Sequence, residues 1–126
     1  YGPHITVNRE SGRVGVGTDS PTETLTVNGR ILAEEIEVVA TVADYVFDEQ
    51  YRRMSLEELE QYIHKHHHLP GIASEDEVAQ HGGTIQVGDA YTKLLEKVEE
   101  LTLYIIEQNK KIKELQDMVN LKTAGK

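Results

Sequence analysis

The C-terminal third of the chain constrains the fold most, because residues 89–121 lack proline and glycine and repeat apolar side chains at heptad spacing. The repeat continues for more than four heptads, which is typical of a coiled coil rather than of an ordinary surface helix. We therefore predict one helix that starts at the N-cap Asp89 and is roughly 45–50 Å long at ~1.5 Å per residue. The a positions are Tyr91, Val98, Ile105, Ile112 and Val119, and the d positions are Leu94, Leu101, Gln108 and Leu115.

The heptads leave the number of helices open between two and three. β-Branched residues dominate a and leucine dominates d, a combination that favours two-stranded coils. The a and d positions together form a stripe, which we call the seam. Gln108 places an amide in the middle of this seam, and the amide weakens simple two-stranded packing. The g-to-e pairs, such as Lys97 with Thr102, carry no opposite charges that would specify a dimer. The alternative is a single helix that folds back on its own chain, but the apolar stripe of residues 107–117 is narrow for that packing.

Apolar residues outside the seam are concentrated in the first half of this helix, at Leu95, Leu103 and Ile106. We therefore expect the preceding helical unit to cover the N-terminal half of the helix, while the C-terminal half stands free. Residues 122–126 are predicted to form a disordered tail.

Residues 1–43 alternate short apolar runs with glycine and proline, which predicts β-strands. The alternating pairs are Val14/Val16, Leu25/Val27 and Ile36/Val38. Asn28-Gly29 between two such runs is a strong hairpin signal. Strands this short, with so few hydrophobic side chains, are unstable on their own, so we expect them to need partners.

Residues 44–88 predict a small helical collar that contains two capping boxes, the reciprocal hydrogen bonds between an N-cap and the third helical residue. Ser55 and Glu58 begin the first helix, and Ser74 and Glu77 begin the second. The intervening HHHLPG must be a turn, because its proline cannot continue the first helix.

Composition narrows the classes of function. Only 38% of the 126 residues are apolar, so the chain is expected to complete its core against copies of itself. A net charge of −9 argues against nucleic acid and against anionic membrane surfaces as partners. The lack of cysteine excludes disulfides and thiol chemistry, and no apolar run is long enough to span a membrane. Because the chain begins at Tyr1 without methionine or a signal peptide, we expect it to be a fragment or a processed product.

Four histidines lie within residues 64–68, at the end of the first predicted helix. His64 and His68 would share one face at i, i+4 spacing, and His-x-His segments gathered around a threefold axis could bind a metal. No acidic residue accompanies them, and positive charge is favourable at a helix C-terminus in any case. We therefore predict neither a metal site nor a cofactor, and retain His64, His66 and His68 as the candidate ligands.

The sequence shows no catalytic constellation, and we predict that the chain is not an enzyme. With 22 acidic residues, no pair of carboxylates stands out as the acid and base of a glycosidase. The glycine-rich GRVGVGTD imitates a phosphate-binding loop, but no helix follows it.

Several segments together resemble the C-terminal module of phage-type tail-fibre proteins, as found in Bacteroidetes and their phages. GRVGVGTDSPTETLTVNGRI is similar to a repeat found near the ends of such fibres. The segments ADYVFDEQYRRMSLEELEQYI, HLPGIASEDEV and AYTKLLEKVEELTLYIIEQNKKIKEL follow in the same order as in the module. The resemblance covers nearly the whole chain from Gly12 to Leu115.

This resemblance implies a parallel homotrimer with interleaved short β-strands, a helical collar and a terminal coiled coil, attached to an upstream fibre shaft. The expected location is a virion tail or an extracellular, cell-surface fibre. The expected function is non-enzymatic trimerisation and chain registration. One alternative is a fibre tip that binds a cell-surface receptor, either a glycan or a protein. Another is a self-cleaving intramolecular chaperone, but the Ser-Asp-x-Arg-x-Lys segment typical of those domains is missing.

Overall fold

The computed structural model describes residues 4–42 and 44–125 and has mixed α and β structure within them. Its elements are β1 (Ile5–Val7), β2 (Val14–Val16), β3 (Leu25–Val27), a 3-10 turn (Tyr45–Phe47), α1 (Leu56–His66), α2 (Glu75–Gln80) and α3 (Val87–Ala124). The predicted α+β class, with a small sheet and a long C-terminal helix, is confirmed. The chain divides into two units, residues 1–37 and 38–126.

The first unit holds a three-stranded sheet in the order β1-β2-β3. β1 and β2 pair antiparallel, with Ile5 opposite Val16. Asn8 organises the turn between them, because its side-chain oxygen accepts hydrogen bonds from the backbone N–H groups of Glu10 and Ser11, both at 3.0 Å. This compact turn brings the two strands together without any core beneath them.

β3 pairs with β2 in parallel. The hairpin predicted at Asn28-Gly29 is wrong, because no strand follows this pair within the described residues. The Asn28 N–H donates to Val16 O at 2.8 Å, and the Asn28 side chain donates to Gly17 O at 3.3 Å. These two bonds attach the end of β3 to the end of β2. A Cβ on Gly17 would lie 2.9 Å from Asn28 O, so this close approach requires glycine, which also allows its φ of +70°.

The strand predicted around Ile36 and Val38 is also absent from the described residues, whose last strand ends at Val27. No backbone–backbone hydrogen bond involves residues 29–42 in the described part of the chain. A strand needs a neighbour to bond its N–H and C=O groups, and this chain supplies none there. Ala43, the last residue of the predicted β-rich segment, lies outside the described residues.

Both predicted capping boxes are present in the second unit. The Ser55 hydroxyl accepts from Glu58 N at 3.1 Å, and the Glu58 carboxylate accepts from Ser55 N at 2.9 Å. Ser74 and Glu77 repeat this arrangement at 3.2 and 2.8 Å. The backbone N–H of Ser74 is the main cause that lowers the pKa of Glu77. These local bonds fix where α1 and α2 begin.

α3 is longer at both ends than the predicted helix over 89–121. It begins after Gln86, so Asp89 is not the N-cap but lies in the first turn, where it pairs with Lys93 at 3.2 Å. Gly88 lies inside the helix, where its lack of a side chain lets Val38 pack closely. A Cβ at this position would lie only 3.1 Å from Val38 Cγ1. At the other end Lys122–Ala124 are helical rather than part of a disordered tail, and Lys126 lies outside the described residues.

Candidate oligomerisation surface

The seam of α3 forms one apolar stripe that remains open along its length. The eight apolar side chains at a and d, from Tyr91 to Val119, are each 51–63% exposed. Gln108, the polar d residue, is exposed as well. A surface helix normally buries such a stripe against its own domain. Within the described residues this stripe has no such cover.

The opposite side of the N-terminal half of α3 is covered by residues 38–42 and 44–54, which we call the strap. The strap runs parallel to the helix and follows a single i, i+4 row of its surface. Its contacts along this row are Val38 with Gly88, Thr41 with Thr92, Tyr45 with Glu96, Tyr51 with Glu100 and Met54 with Tyr104. Because residues four apart lie almost above one another, this row crosses the back of the helix. The strap therefore covers the back of α3 from Gly88 to Tyr104 and leaves the seam free.

Two buried side chains anchor the strap. Val46 is 2% exposed, and Tyr104 is 7% exposed. The Tyr104 hydroxyl donates to Met54 O at 2.6 Å, and the Arg53 guanidinium lies 4.8 Å from the centre of the Tyr104 ring. Arg53 also pairs with the Glu107 carboxylate. Among the described residues, Val46 and Tyr104 are the only buried large apolar side chains, so a single chain has almost no core.

Lys97 is the buried charge under the strap. Its ammonium group donates to Glu100 Oε2 at 3.0 Å and to Glu96 Oε1 at 3.2 Å. Burial alone would lower the pKa of Lys97, but the two carboxylates outweigh it and raise the pKa above its ordinary value. The same carboxylates accept hydrogen bonds from Tyr45 and Tyr51. Lys97 thus neutralises the two acidic groups that hold the strap tyrosines.

The tyrosines of the strap are expected to make the stability of the strap depend on pH in the alkaline range. The hydrogen bond to Glu96, followed by burial, raises the pKa of Tyr45 from 10.0 to about 12. The raised pKa means that the folded chain favours the neutral Tyr45 hydroxyl. The stabilisation that the folded chain gains from this hydroxyl is therefore complete below pH 10 and is lost as pH rises towards 12. We expect the difference in tyrosinate absorbance between wild type and Tyr45→Phe to titrate near pH 12. A difference curve centred near the ordinary tyrosine pKa of about 10 would contradict this hydrogen bond.

The preceding helical unit, residues 44–88, is predicted to cover the N-terminal half of α3, and part of that unit does so. The cover comes from its 3-10 turn and the extended residues up to Met54, together with residues 38–42, rather than from α1 and α2. Sequence reasoning missed Lys97 and Tyr104 as buried positions, although both are g residues one heptad apart. An aromatic residue at g, beside the apolar Leu95 and Leu103, was the available signal for a second packing surface.

The three candidate metal ligands do not form one cluster, although the rings of His66 and His68 lie 6.1 Å apart. The His66 ring packs on Tyr62 at a centroid distance of 4.4 Å, and the His68 ring lies 5.6 Å from the same tyrosine. His64 instead lines a shallow apolar depression beside Ile63. In residues 4–42 and 44–125, no group of three or more His, Asp or Glu side chains is placed to hold a metal ion.

Comparisons of the chain with protein-family models, with curated proteins and with solved structures found no match. Among the described helices, none has both the length and the apolar character needed to cross a membrane.

Proposed function

We propose that this chain is a non-enzymatic assembly module that trimerises the C-terminal end of a tail-fibre-like or surface-fibre protein. The observation that carries the proposal is the open seam of α3, which is apolar over more than four heptads, whereas the back of the N-terminal half of the same helix is covered. A helix with one covered side and one free heptad stripe is suited to pair with identical helices.

The exposed surface of a single chain supports burial against copies. It measures 11319 Å². A compact monomer of this mass would expose roughly 6,800 Å², from the scaling of surface area with molecular mass. The excess, on the order of 4,500 Å² per chain, falls in the range that obligate oligomers bury at their interfaces.

The segment that leads into the strap also supports assembly, and its last five residues, 38–42, are part of the strap. Residues 29–42 have apolar side chains exposed to solvent and backbone groups without backbone partners in the described chain. The exposed residues are Ile31, Leu32, Ile36, Val38, Val39 and Val42. Pairing with the same segment of other copies would satisfy the backbone groups and bury these side chains together. Three intertwined copies, as the resemblance to fibre modules implies, would share one narrow core.

The mechanism we propose is nucleation and registration. The coiled coil forms from contacts that are local along each helix, and it aligns the three chains. Alignment reduces the entropy cost of bringing the short β-segments together, because their ends are then already close. An upstream fibre shaft would start to fold from chains that are in register.

Single cysteines at the two ends of the seam test the parallel arrangement, since the natural chain has no cysteine. In a parallel, in-register coil we expect Leu94→Cys chains to form disulfides with one another, and Leu115→Cys chains to do the same. When the two variants are refolded together, mixed 94–115 disulfides should be absent. The mixed disulfide as the main product would mean antiparallel helices, and would contradict a registration module of this kind.

A further inference from the structure

A second apolar surface lies beside the seam, on α1. Leu56 and Ile63 are each 40% exposed. Together with Leu59 they line a shallow depression of about 420 Å³. In an amphipathic helix such a face is normally packed against another element. The described residues of the same chain leave it open.

The position of α1 connects this surface to the seam. The strap ends at Met54, bonded to Tyr104 on the g flank of α3, and α1 begins two residues later. Leu56 lines a cleft that also contains Gln108, a d residue, and Lys111, a g residue. Leu56, at the start of the apolar face of α1, therefore lies beside the seam on its g side, at the height of residues 104–111.

Ile106 is an exposed apolar residue that the seam does not explain. It occupies a b position, outside a and d, and is 46% exposed. The b positions lie beyond the e flank, on the side of the helix away from g. α1 of the same chain is on the g flank, so it does not cover its own Ile106.

We propose that α1 of one copy packs on the e and b flank of α3 in the next copy, with Leu56 and Ile63 covering Ile106 of that neighbour. The inference rests on the parallel, in-register assembly proposed above. In such a coil the g flank of one helix faces the e flank of its neighbour. Equal residue numbers lie at equal heights, so Ile106 of the neighbour lies at the height of Leu56.

The charges of the two surfaces are complementary. Glu57 and Glu60 lie on α1 beside its apolar residues, and neither forms an ion pair within the described residues. Lys110 and Lys113 flank the exposed isoleucine on α3 and form no ion pair there either. Packing of α1 on the next copy would bring these opposite charges together, which favours the correct partner and register.

The contact is head to tail, because each copy covers one neighbour and is covered by the other. Contacts of this kind form a closed ring when the rotation between copies is that of a cyclic oligomer. The three α1 helices would then form a collar that fastens each helix of the coil to the next. Each chain would thus complete a surface that its neighbour leaves exposed.

Cross-linking between different chains tests the collar. Leu56→Cys chains are refolded with Ile106→Cys chains, treated with a short bis-maleimide and analysed by mass spectrometry of the linked peptides. Because each chain carries one cysteine, a 56–106 link must join two copies. Asn120→Cys is the matched control, since it occupies the same b flank but lies about 21 Å further along the helix at ~1.5 Å per residue. We expect at least tenfold more 56–106 than 56–120 product.

The mass of each mixture in solution is measured first, so that a failure of the coiled-coil assembly can be distinguished from a failure of the α1 contact alone. A three-chain mass with equal 56–106 and 56–120 yields would overturn the collar and leave the coiled-coil assembly intact. A single-chain mass for the natural sequence would overturn the proposed assembly, and the collar with it. A three-chain mass with preferential 56–106 linkage supports both.

Discussion

Ile105→Asp is expected to leave the chain as a single-chain species at micromolar concentration, with reduced helix content in α3. Ile105 is the central a residue and is 63% exposed in the single chain, so its burial depends on other copies. Loss of its packing alone removes roughly 2–5 kcal/mol per chain. Three carboxylates gathered at one layer add repulsion and desolvation, because charges are expensive to bury without partners.

Asn120→Asp is the matched control for this prediction. Residue 120 occupies a b position on the same helix, away from the seam and about 21 Å beyond Ile106 at ~1.5 Å per residue, and the substitution introduces the same carboxylate. We expect the Asn120→Asp chain to keep its assembled mass and its helix content by circular dichroism. An Ile105→Asp chain that assembles as well as this control would contradict the assignment of the seam.

Tyr104→Ala is expected to release the strap and to lower the free energy of unfolding by about 3–5 kcal/mol, as for other large aromatic side chains removed from a buried site. The ring is buried, supports the Arg53 guanidinium and carries the hydroxyl bonded to Met54 O. Its removal leaves a cavity where the strap meets α3. We expect limited proteolysis to cut within residues 38–54 in the variant and not in the wild type.

Tyr104→Phe separates the ring from its hydroxyl. This variant keeps the buried ring and loses one hydrogen bond, worth about 1 kcal/mol net. We expect its strap to resist proteolysis almost as well as the wild-type strap does. Equal unfolding free energies for the alanine and phenylalanine variants would mean that the ring does not hold the strap, and that another contact does.

Local features of this fold could be predicted from the sequence because each depends on neighbouring residues. Ser55 and Glu58 are three residues apart, and their capping box needs nothing from the rest of the chain. The long helix follows from the heptad pattern in the same way. Its ends were harder to place, because Gly88 reads as a helix breaker until the close approach of Val38 is known.

The contacts that position the candidate surface could not be predicted in this way. Tyr45 and Glu96 are 51 residues apart in the chain, and no local rule pairs them. Likewise, the parallel pairing of β2 and β3 brings Asn28 to Val16 and Gly17, and no later strand in the described residues completes a hairpin. A hairpin signal describes what a turn can do and does not fix which strand is nearby.

The two sides of α3 are suited to two different contacts, one with the strap of the same chain and one, as proposed, with other copies. Its back carries polar and aromatic contacts to the strap, centred on Glu96, Lys97 and Glu100, which need no second chain. Its seam carries aliphatic side chains that gain free energy only when another copy covers them. In the proposed assembly, the strap organises each copy and the seam joins the copies.

The most direct test of the central claim is the mass of the natural chain in solution, measured by multi-angle light scattering at two protein concentrations. The account predicts a mass three times 14.2 kDa at both concentrations. A mass of 14.2 kDa at both would mean that the exposed seam does not join copies, and would contradict the proposed function.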